Sequence, residues 1–380
     1  NDTLVDCNGA VFTHTAGTGG WLFEVGGTVG VTIQNCQVSG YGYGVTNLRV
    51  DSPSSLTKLP VHTLTVRDNV FDNVAMPVTL SNFALGYTPA AAFPNHQIIN
   101  NTMTNVDVSG ISLRKTEYNY IADNLIERPV AAPCGSCEGI LLEGAENSVI
   151  ERNTLHRAKL YLLRWGNWNS TNVTIFENNI TDVYRAIDLG QGSNGAVIQD
   201  NSLEHVGLGV YVRSDGHVIQ HNTMTGDEGL GDGTSMGVFV ETDSIPHRDS
   251  TIALNFFDNM SEPTYDPSTN LNNWSMDVEA GPGEIMFGNF YDIYHEDTQN
   301  VGNNYCTDVN FDNFCDDPYP FLIVEQDDFP LRSRSLTDTG GLQNNFNAPV
   351  VQPVADFYVN EIDQVHVVIN ASSPVNAPLT

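Results

Sequence analysis

The sequence predicts an all-β fold, a right-handed, single-stranded parallel β-helix of about ten rungs with an asparagine ladder. Three observations predict it. An aliphatic-x-x-Asn pattern returns as VRDN (66–69), IINN (98–101), IADN (121–124), IERN (150–153), IFEN (175–178), IQDN (198–201), IQHN (219–222) and IALN (252–255), followed by an irregular IMFGN (285–289). A second short apolar segment follows most of these, as in GISLR, GILLE, YLLRW, AIDLG, GVYVR, GVFVE and SMDVE. No helical periodicity runs through the chain.

Each element follows from these features. Short strands in a repeat of about 20–30 residues cannot bury an apolar face alone, so they stack as rungs, each about 4.8 Å above the last. The recurring Asn falls at a turn, where its amide can bond the equivalent amides above and below and satisfy backbone groups. Right-handed coiling is the rule for parallel crossovers. The ladder positions from Asn69 to Asn255 are separated by 32, 23, 29, 25, 23, 21 and 33 residues. Rungs therefore share strands but differ in loop length. An ordinary sandwich of short strands is the alternative, but it does not explain the recurring Asn.

LVDC (4–7) and IQNC (33–36) put cysteine in the Asn slot of the first rungs. Stacked neighbours lie within disulfide reach, so Cys7 and Cys36 are expected to bridge. Cys134 and Cys137 form a bare C-x-x-C, read as a loop disulfide, because zinc would need a second pair. Cys306 and Cys315 bracket an acidic loop and complete an even count that suits an oxidising compartment. The sequon positions Asn100, Asn169, Asn172, Asn179, Asn259 and Asn273 are candidate glycosylation sites, with further sequons at Asn1 and Asn370.

The chain has 46 acidic against 15 basic residues and a formal net charge of −31. Such a surface cannot neutralise a phosphate backbone, which argues against nucleic acid. Lysine occurs only at Lys58, Lys115 and Lys159. An acidic, lysine-poor surface stays hydrated in salt, which points to a saline extracellular setting. No apolar run reaches the roughly 20 residues of a membrane span. No signal peptide is present, so a mature chain or a fragment is expected.

The opening segment LVDCNGAVFTHTAG, the Asn rungs and GNNYCTDVNFDNFCDDPYPFLIVEQDDFPL together resemble secreted right-handed β-helix proteins of the NosD-like, carbohydrate-binding-and-sugar-hydrolase (CASH) group. The resemblance covers residues 1 to about 332 and implies a β-helix over 1–335. The group spans lyases, hydrolases, epimerases and non-catalytic surface proteins. Its members usually carry a capping segment ahead of the first strand, so upstream sequence is expected. Copper does not carry over, since histidine and methionine are scattered. Residues 336–349 read as a polar linker. PVADFYVNEIDQVHVVINASSP, within 350–380, resembles the opening strands of a polycystic-kidney-disease (PKD) type Ig-like domain.

If the second strands align by their apolar segments, two columns point outward. One reads Arg114, Glu143, Arg164, Gly190, Arg213, Glu241 and Glu279. The other reads Ser112, Leu141, Leu162, Asp188, Tyr211, Phe239 and Asp277. Lys115, Trp165 and Trp168 flank the first. In one reading this is a groove: cations hold uronate or sulfate, aromatics stack on sugar faces and carboxylates supply acid–base chemistry. ISLRK and LLRWG are similar to strands of β-helix polysaccharide lyases, which implies Lys115 and Arg164 as catalytic candidates, joined by Asp188 and Arg213. In the other reading the columns are charge ladders whose cross-strand pairs each contribute about 0.2–1 kcal/mol and need no ligand.

CTDVNFDNFCDD (306–317) places Asp308, Asn310 and Asp312 at alternate positions, with Asp316 and Asp317 following. Such spacing converges hard oxygens on Ca²⁺. The loop is also similar to the acidic loop near the end of NosD-like solenoids. No serine-nucleophile elbow or HExxH motif occurs, and His205, His217 and His221 read as loop or turn residues. Two functions therefore stand. One is a secreted or cell-surface solenoid with a structural, assembly or glycan-binding role in a larger modular protein, its partner a polysaccharide, a cell-surface glycan or copies of itself. The other is a lyase or glycoside hydrolase acting on an anionic polysaccharide along the 114–279 face.

Overall fold

A computed structural model describes residues 3–291 apart from 15–19, 26–28, 53–54, 59–61, 82–92, 130–137, 165–167, 231–232, 242–246, 266–271, 273, 275, 280–283 and 288. It also describes 319–320 and 326–327. The pairs Cys134–Cys137 and Cys306–Cys315, the loop 306–317, Trp165, Asn273, the linker and the PKD-like segment lie outside the described residues.

The chain winds as stacked coils with three faces, a right-handed parallel β-helix. Among the described residues, the first face is a 10-stranded parallel sheet running from Thr3–Asp6 to Thr251–Ala253. The second and third faces form one 20-stranded sheet, because Asn179–Leu189 and Ser202–Val212 run unbroken around the corner between them. Registered columns of aliphatics fill the interior. On the first face Ile33, Val66, Ile98, Ile121, Ile150, Ile175, Ile198, Ile219 and Ile252 stand above one another. All are buried. The second face contributes Phe71, Met103, Ile126, Leu155, Ile180, Leu203, Met224 and Phe257. On the third, Leu80, Leu113, Leu142, Leu162, Leu189, Val212 and Val240 line up.

The corner between the first two faces explains the repeat. One residue per rung takes the left-handed conformation, from Asn35 and Asp68 through Asp200 and His221 to Leu254, with φ of 51–59°. This turns an extended strand sharply, at about 1–2 kcal/mol for a residue with a Cβ. The next residue is the ladder asparagine, or Cys36 in the case of Asn35. Asn178 is representative. Its Nδ2 lies 2.9 Å from Ile150 O, 3.0 Å from Phe176 O and 3.0 Å from Asn201 Oδ1. Its Oδ1 accepts both the Asn153 N–H and the Asn153 amide at 3.0 Å. The same pattern links Asn69, Asn101, Asn124, Asn153, Asn178, Asn201, Asn222, Asn255 and Asn289. Every predicted ladder position, the irregular Asn289 included, is in place.

The expected bridge also forms, with Cys7 and Cys36 joined at a Cα–Cα distance of 4.9 Å. Cys36 heads the ladder, its N–H bonded to Asn69 Oδ1 at 3.0 Å. The C-terminal end departs from expectation. Met276–Glu279 pairs antiparallel with Glu284–Phe287 rather than adding a parallel rung. The strand that carries Asp277 and Glu279 therefore does not extend the parallel rungs of the two columns.

A second polar column, which the aliphatic-x-x-Asn pattern does not signal, precedes the first-face strands. Here a side chain accepts the N–H of the equivalent residue one rung back. Leu64 N–H bonds His96 Nδ1 at 3.3 Å, Asn119 N–H bonds Ser148 Oγ at 3.2 Å, and Ala196 N–H bonds His217 Nδ1 at 3.2 Å. His217 N–H bonds Ser250 Oγ at 3.1 Å, and Ser250 N–H bonds Asn272 Oδ1 at 3.1 Å.

Removing a ladder amide leaves buried carbonyls and an N–H unpaired, at about 1–3 kcal/mol. Asn178→Ala is expected to lower unfolding free energy by that amount or more in urea titrations. A peptide mass map should recover residues 7 and 36 in one disulfide-linked fragment, and Cys36→Ser should lower the melting temperature.

Candidate functional site

The third face carries the outward columns, and its register differs from the sequence-based alignment in one strand. Glu143 pairs with Leu163, and Leu141 with Tyr161, in the strand Lys159–Leu163. Arg164 and Leu162 are therefore not column members. Leu162 is core, between Leu142 and Leu189. The cause is local: Glu138 aligns with Lys159 but Ile140 with Leu160, so Gly139 is an extra residue in its strand and shifts the pairing by one. The true columns read Arg114, Glu143, Leu163, Gly190, Arg213, Glu241 and Ser112, Leu141, Tyr161, Asp188, Tyr211, Phe239, Tyr265.

This slip replaces an aliphatic by Tyr161 next to Asp188 and builds a polar cluster. The Asp188 side chain is 1% exposed although it points away from the core. Arg213 Nη2 lies 2.9 Å from its Oδ1; Lys159 Nζ and Arg185 Nη1 lie 3.3 and 3.5 Å from its Oδ2. Arg213 Nη2 also donates to the Tyr161 hydroxyl at 3.2 Å. Around this centre, Arg114 pairs with Glu143, and Arg213 Nε lies 3.9 Å from Glu241. Burial holds the Glu138 carboxyl above its usual range, opposed by Lys159, Arg114 and Arg128. Burial likewise raises the Tyr161 phenol, with Asp188 adding to it.

The aromatics spend their faces within the protein. Tyr211, Phe239 and Tyr265 form a stack along the coil axis, with centroids 5.4 and 4.9 Å apart. Phe239 is therefore covered on both sides and presents only its edge outward. The Arg185 guanidinium lies 4.0 Å from the Tyr211 ring and Lys159 Nζ 4.1 Å from the Tyr161 ring. Such contacts give about 0.5–2 kcal/mol each as they lose water. Tyr211 is thus covered by Phe239 and Arg185, and Phe239 by Tyr211 and Tyr265, while the side chains of Arg114, Arg185 and Arg213 stay partly exposed.

Of the sequence-predicted catalytic candidates, the structure brings Asp188 and Arg213 together. Lys115 is buried at a left-handed position (φ 53°), its Nζ 4.3 Å over the Trp168 ring. Desolvation lowers its pKa. Gly144, at φ 64°, makes room there, since a Cβ on it would stand 2.7 Å from Trp168 Cβ. Arg164 is exposed, against Gly192. Lys159 and Arg185 were missed because Lys159 falls where the slipped register begins and Arg185 lies ahead of the apolar AIDL segment. Of the sequons, Asn100, Asn172, Asn179 and Asn259 are exposed and Asn169 is half-buried. Among the described residues no group of histidine, cysteine and carboxylate side chains is arranged to hold a metal, and no helix is long and apolar enough to cross a membrane.

The chain matches, over residues 21–203, the family model described as "Right handed beta helix region". Among solved structures it is similar to XylC in complex with xylose, at 14% identity and a TM-score of 0.45, covering 64% of this chain and 44% of that one. It is similar to the periplasmic alginate epimerase AlgG at 17% identity and a TM-score of 0.43, covering 67% and 59%. A polygalacturonase from Erwinia carotovora ssp. carotovora matches at 11% identity and a TM-score of 0.38, covering 71% and 82%. The chain thus spans about half the length of the first two. No curated protein sequence matches it.

Asp188→Ala would leave three cations around an uncompensated site. Breaking buried ion pairs costs about 3–5 kcal/mol, and a loss of that order is expected in urea unfolding. Arg114→Ala takes the cation from the buried Glu143 carboxylate, so a loss of about 1–3 kcal/mol is expected in the same titration.

Proposed function

We propose that the chain is a secreted or cell-surface β-solenoid whose third face binds an anionic polysaccharide or surface glycan in a scaffold role, as part of a larger modular protein. The observation that carries this reading is Asp188, closed in beneath Lys159, Arg185 and Arg213. A carboxylate so neutralised and covered has no lone pair aimed at solvent to serve as base or nucleophile. The guanidinium tips around it remain accessible for fork-like bonding to carboxylate or sulfate. They stand on one face of a chain whose net charge is −31, so anionic ligands meet repulsion over the remaining surface. The Cys7–Cys36 bridge suits an oxidising, extracellular compartment. Membership of the NosD-like group, the PKD-like tail and a Ca²⁺ held by Asp308, Asn310, Asp312, Asp316 and Asp317 belong to the same proposal.

The second reading, a lyase or hydrolase, is favoured by the nearness of two unlike carboxyl groups. Glu138 is raised by burial and feels Asp188, which has cations around it, and environments that separate two carboxyls suit acid–base division.

A titration with polygalacturonate, dextran sulfate and neutral dextran, scored together with release of unsaturated or reducing ends, tests both. Binding of the two anionic polymers, weakening with salt and falling about tenfold in Arg185→Ala, without product release, is expected. Indifference to all three polymers would leave only the structural role, and product release would establish the enzyme. Chelator should lower the melting temperature if the 306–317 loop holds Ca²⁺.

A further inference from the structure

Behind the cluster, three buried side chains form a single hydrogen-bonded relay. His217 Nε2 lies 2.9 Å from Ser214 Oγ, Ser214 Oγ lies 2.8 Å from Ser193 Oγ, and Ser193 Oγ donates to Gly190 O at 2.7 Å. His217 and Ser193 are 0% and Ser214 4% exposed. The direction of every proton follows. Ala196 N–H can only donate, so His217 Nδ1 is bare, and the neutral ring carries its proton on Nε2. That proton goes to Ser214, and because the Ser193 hydrogen is taken by Gly190 O, Ser214 donates to Ser193. Ser214 therefore cannot give a proton to His217, and the set is no nucleophile–base pair.

The relay joins the ends of the strands that carry the site. Gly190 follows Asp188 and Leu189, and Ser214 follows Arg213 directly. A second proton on the ring would sit on Nδ1, facing the Ala196 N–H: two donors head to head in a dry interior. Burial already holds the His217 pKa down, to about 4. The titratable groups facing it are Asp215 on its own turn, which favours its cation, and His247 from the next rung, which opposes it. His247 Nδ1 lies 3.5 Å from Asp215 Oδ1, which also accepts the Arg248 N–H at 3.1 Å. The segment of the rung below, Ser193, Asn194, Gly195 and Ala196, carries no titratable side chain.

We propose that the His217–Ser214–Ser193 relay is an acid-sensitive latch: neutral, it holds the strand ends that place Asp188 and Arg213, and protonated, it releases them and the anionic glycan bound there. The second half rests on the glycan-binding reading; the first does not. The sign follows from linkage. An unfolded imidazole titrates near 6.5 and the folded one near 4, so between these values the unfolded chain binds the extra proton. Stability is full above about pH 6.5 and declines as pH falls towards 4.

The test compares the wild type with His217→Ser, a residue that fills the same column at Ser148 and Ser250 and accepts the same kind of N–H. The wild type should lose several degrees more of melting temperature than the variant between pH 7 and pH 4.5. Its affinity for dextran sulfate, whose charge stays constant down to pH 3.5, should fall about threefold more by pH 3.5, where most of a ring titrating near 4 is protonated. Equal acid sensitivity in both proteins would overturn the latch. Acid-sensitive melting in the wild type alone, with no dextran sulfate binding at pH 7, would keep the latch and remove the glycan reading. Should His217→Ser not fold, ring resonances of wild-type His217 decide: protonation above pH 6 without spreading amide changes would equally overturn it.

Discussion

The constraint on which the molecule depends is that a chain turning inward at every rung must still pair its backbone polar groups. Water cannot reach the corner between the first and second faces, and an unpaired group there costs about 1–3 kcal/mol. Asparagine resolves this because one amide both donates and accepts. Each Asn side chain bonds carbonyls of its own and the preceding rung and accepts from the amide before it. The left-handed residue before it is tolerated because the same bonds hold it in place on every rung. The faces, the aliphatic columns and the outward columns all take their phase from this corner.

Much of this was legible because the corner demands one residue type at one spacing. From Asn69 to Asn289 the ladder could be read position by position, and so could the Cys7–Cys36 bridge at its head. The third face was less legible because it demands only alternation, which an extra glycine can shift unseen. With Gly139 inserted, the run Leu160 to Leu163 offers two alignments of similar apolarity, and the sequence alone does not choose between them. The choice decided whether Arg164 or Leu163, and Leu162 or Tyr161, faced outward. The serine and histidine column escaped for the opposite reason: several residue types accept an N–H equally well, so no single letter recurs.

The site shows how a repeat fold reuses one device for two ends. Arg114 with Glu143 is a plain cross-rung pair. Asp188 is the same device with three cations on one carboxylate, both acidic side chains being nearly closed to water. Around it, tyrosine and phenylalanine serve as walls, their rings set against cations and against one another along the axis.

The corner has one more consequence. From Asn101 to Met103, Asn153 to Leu155 and Asn222 to Met224, the step from ladder amide to next core residue never changes, while the intervals between successive amides vary from 21 to 34 residues. Every turn of the coil thus begins again from the same origin. Insertions and slips, such as the one at Gly139, are absorbed within a single turn and forgotten by the next, so the coil can diversify its margins without accumulating error along its length.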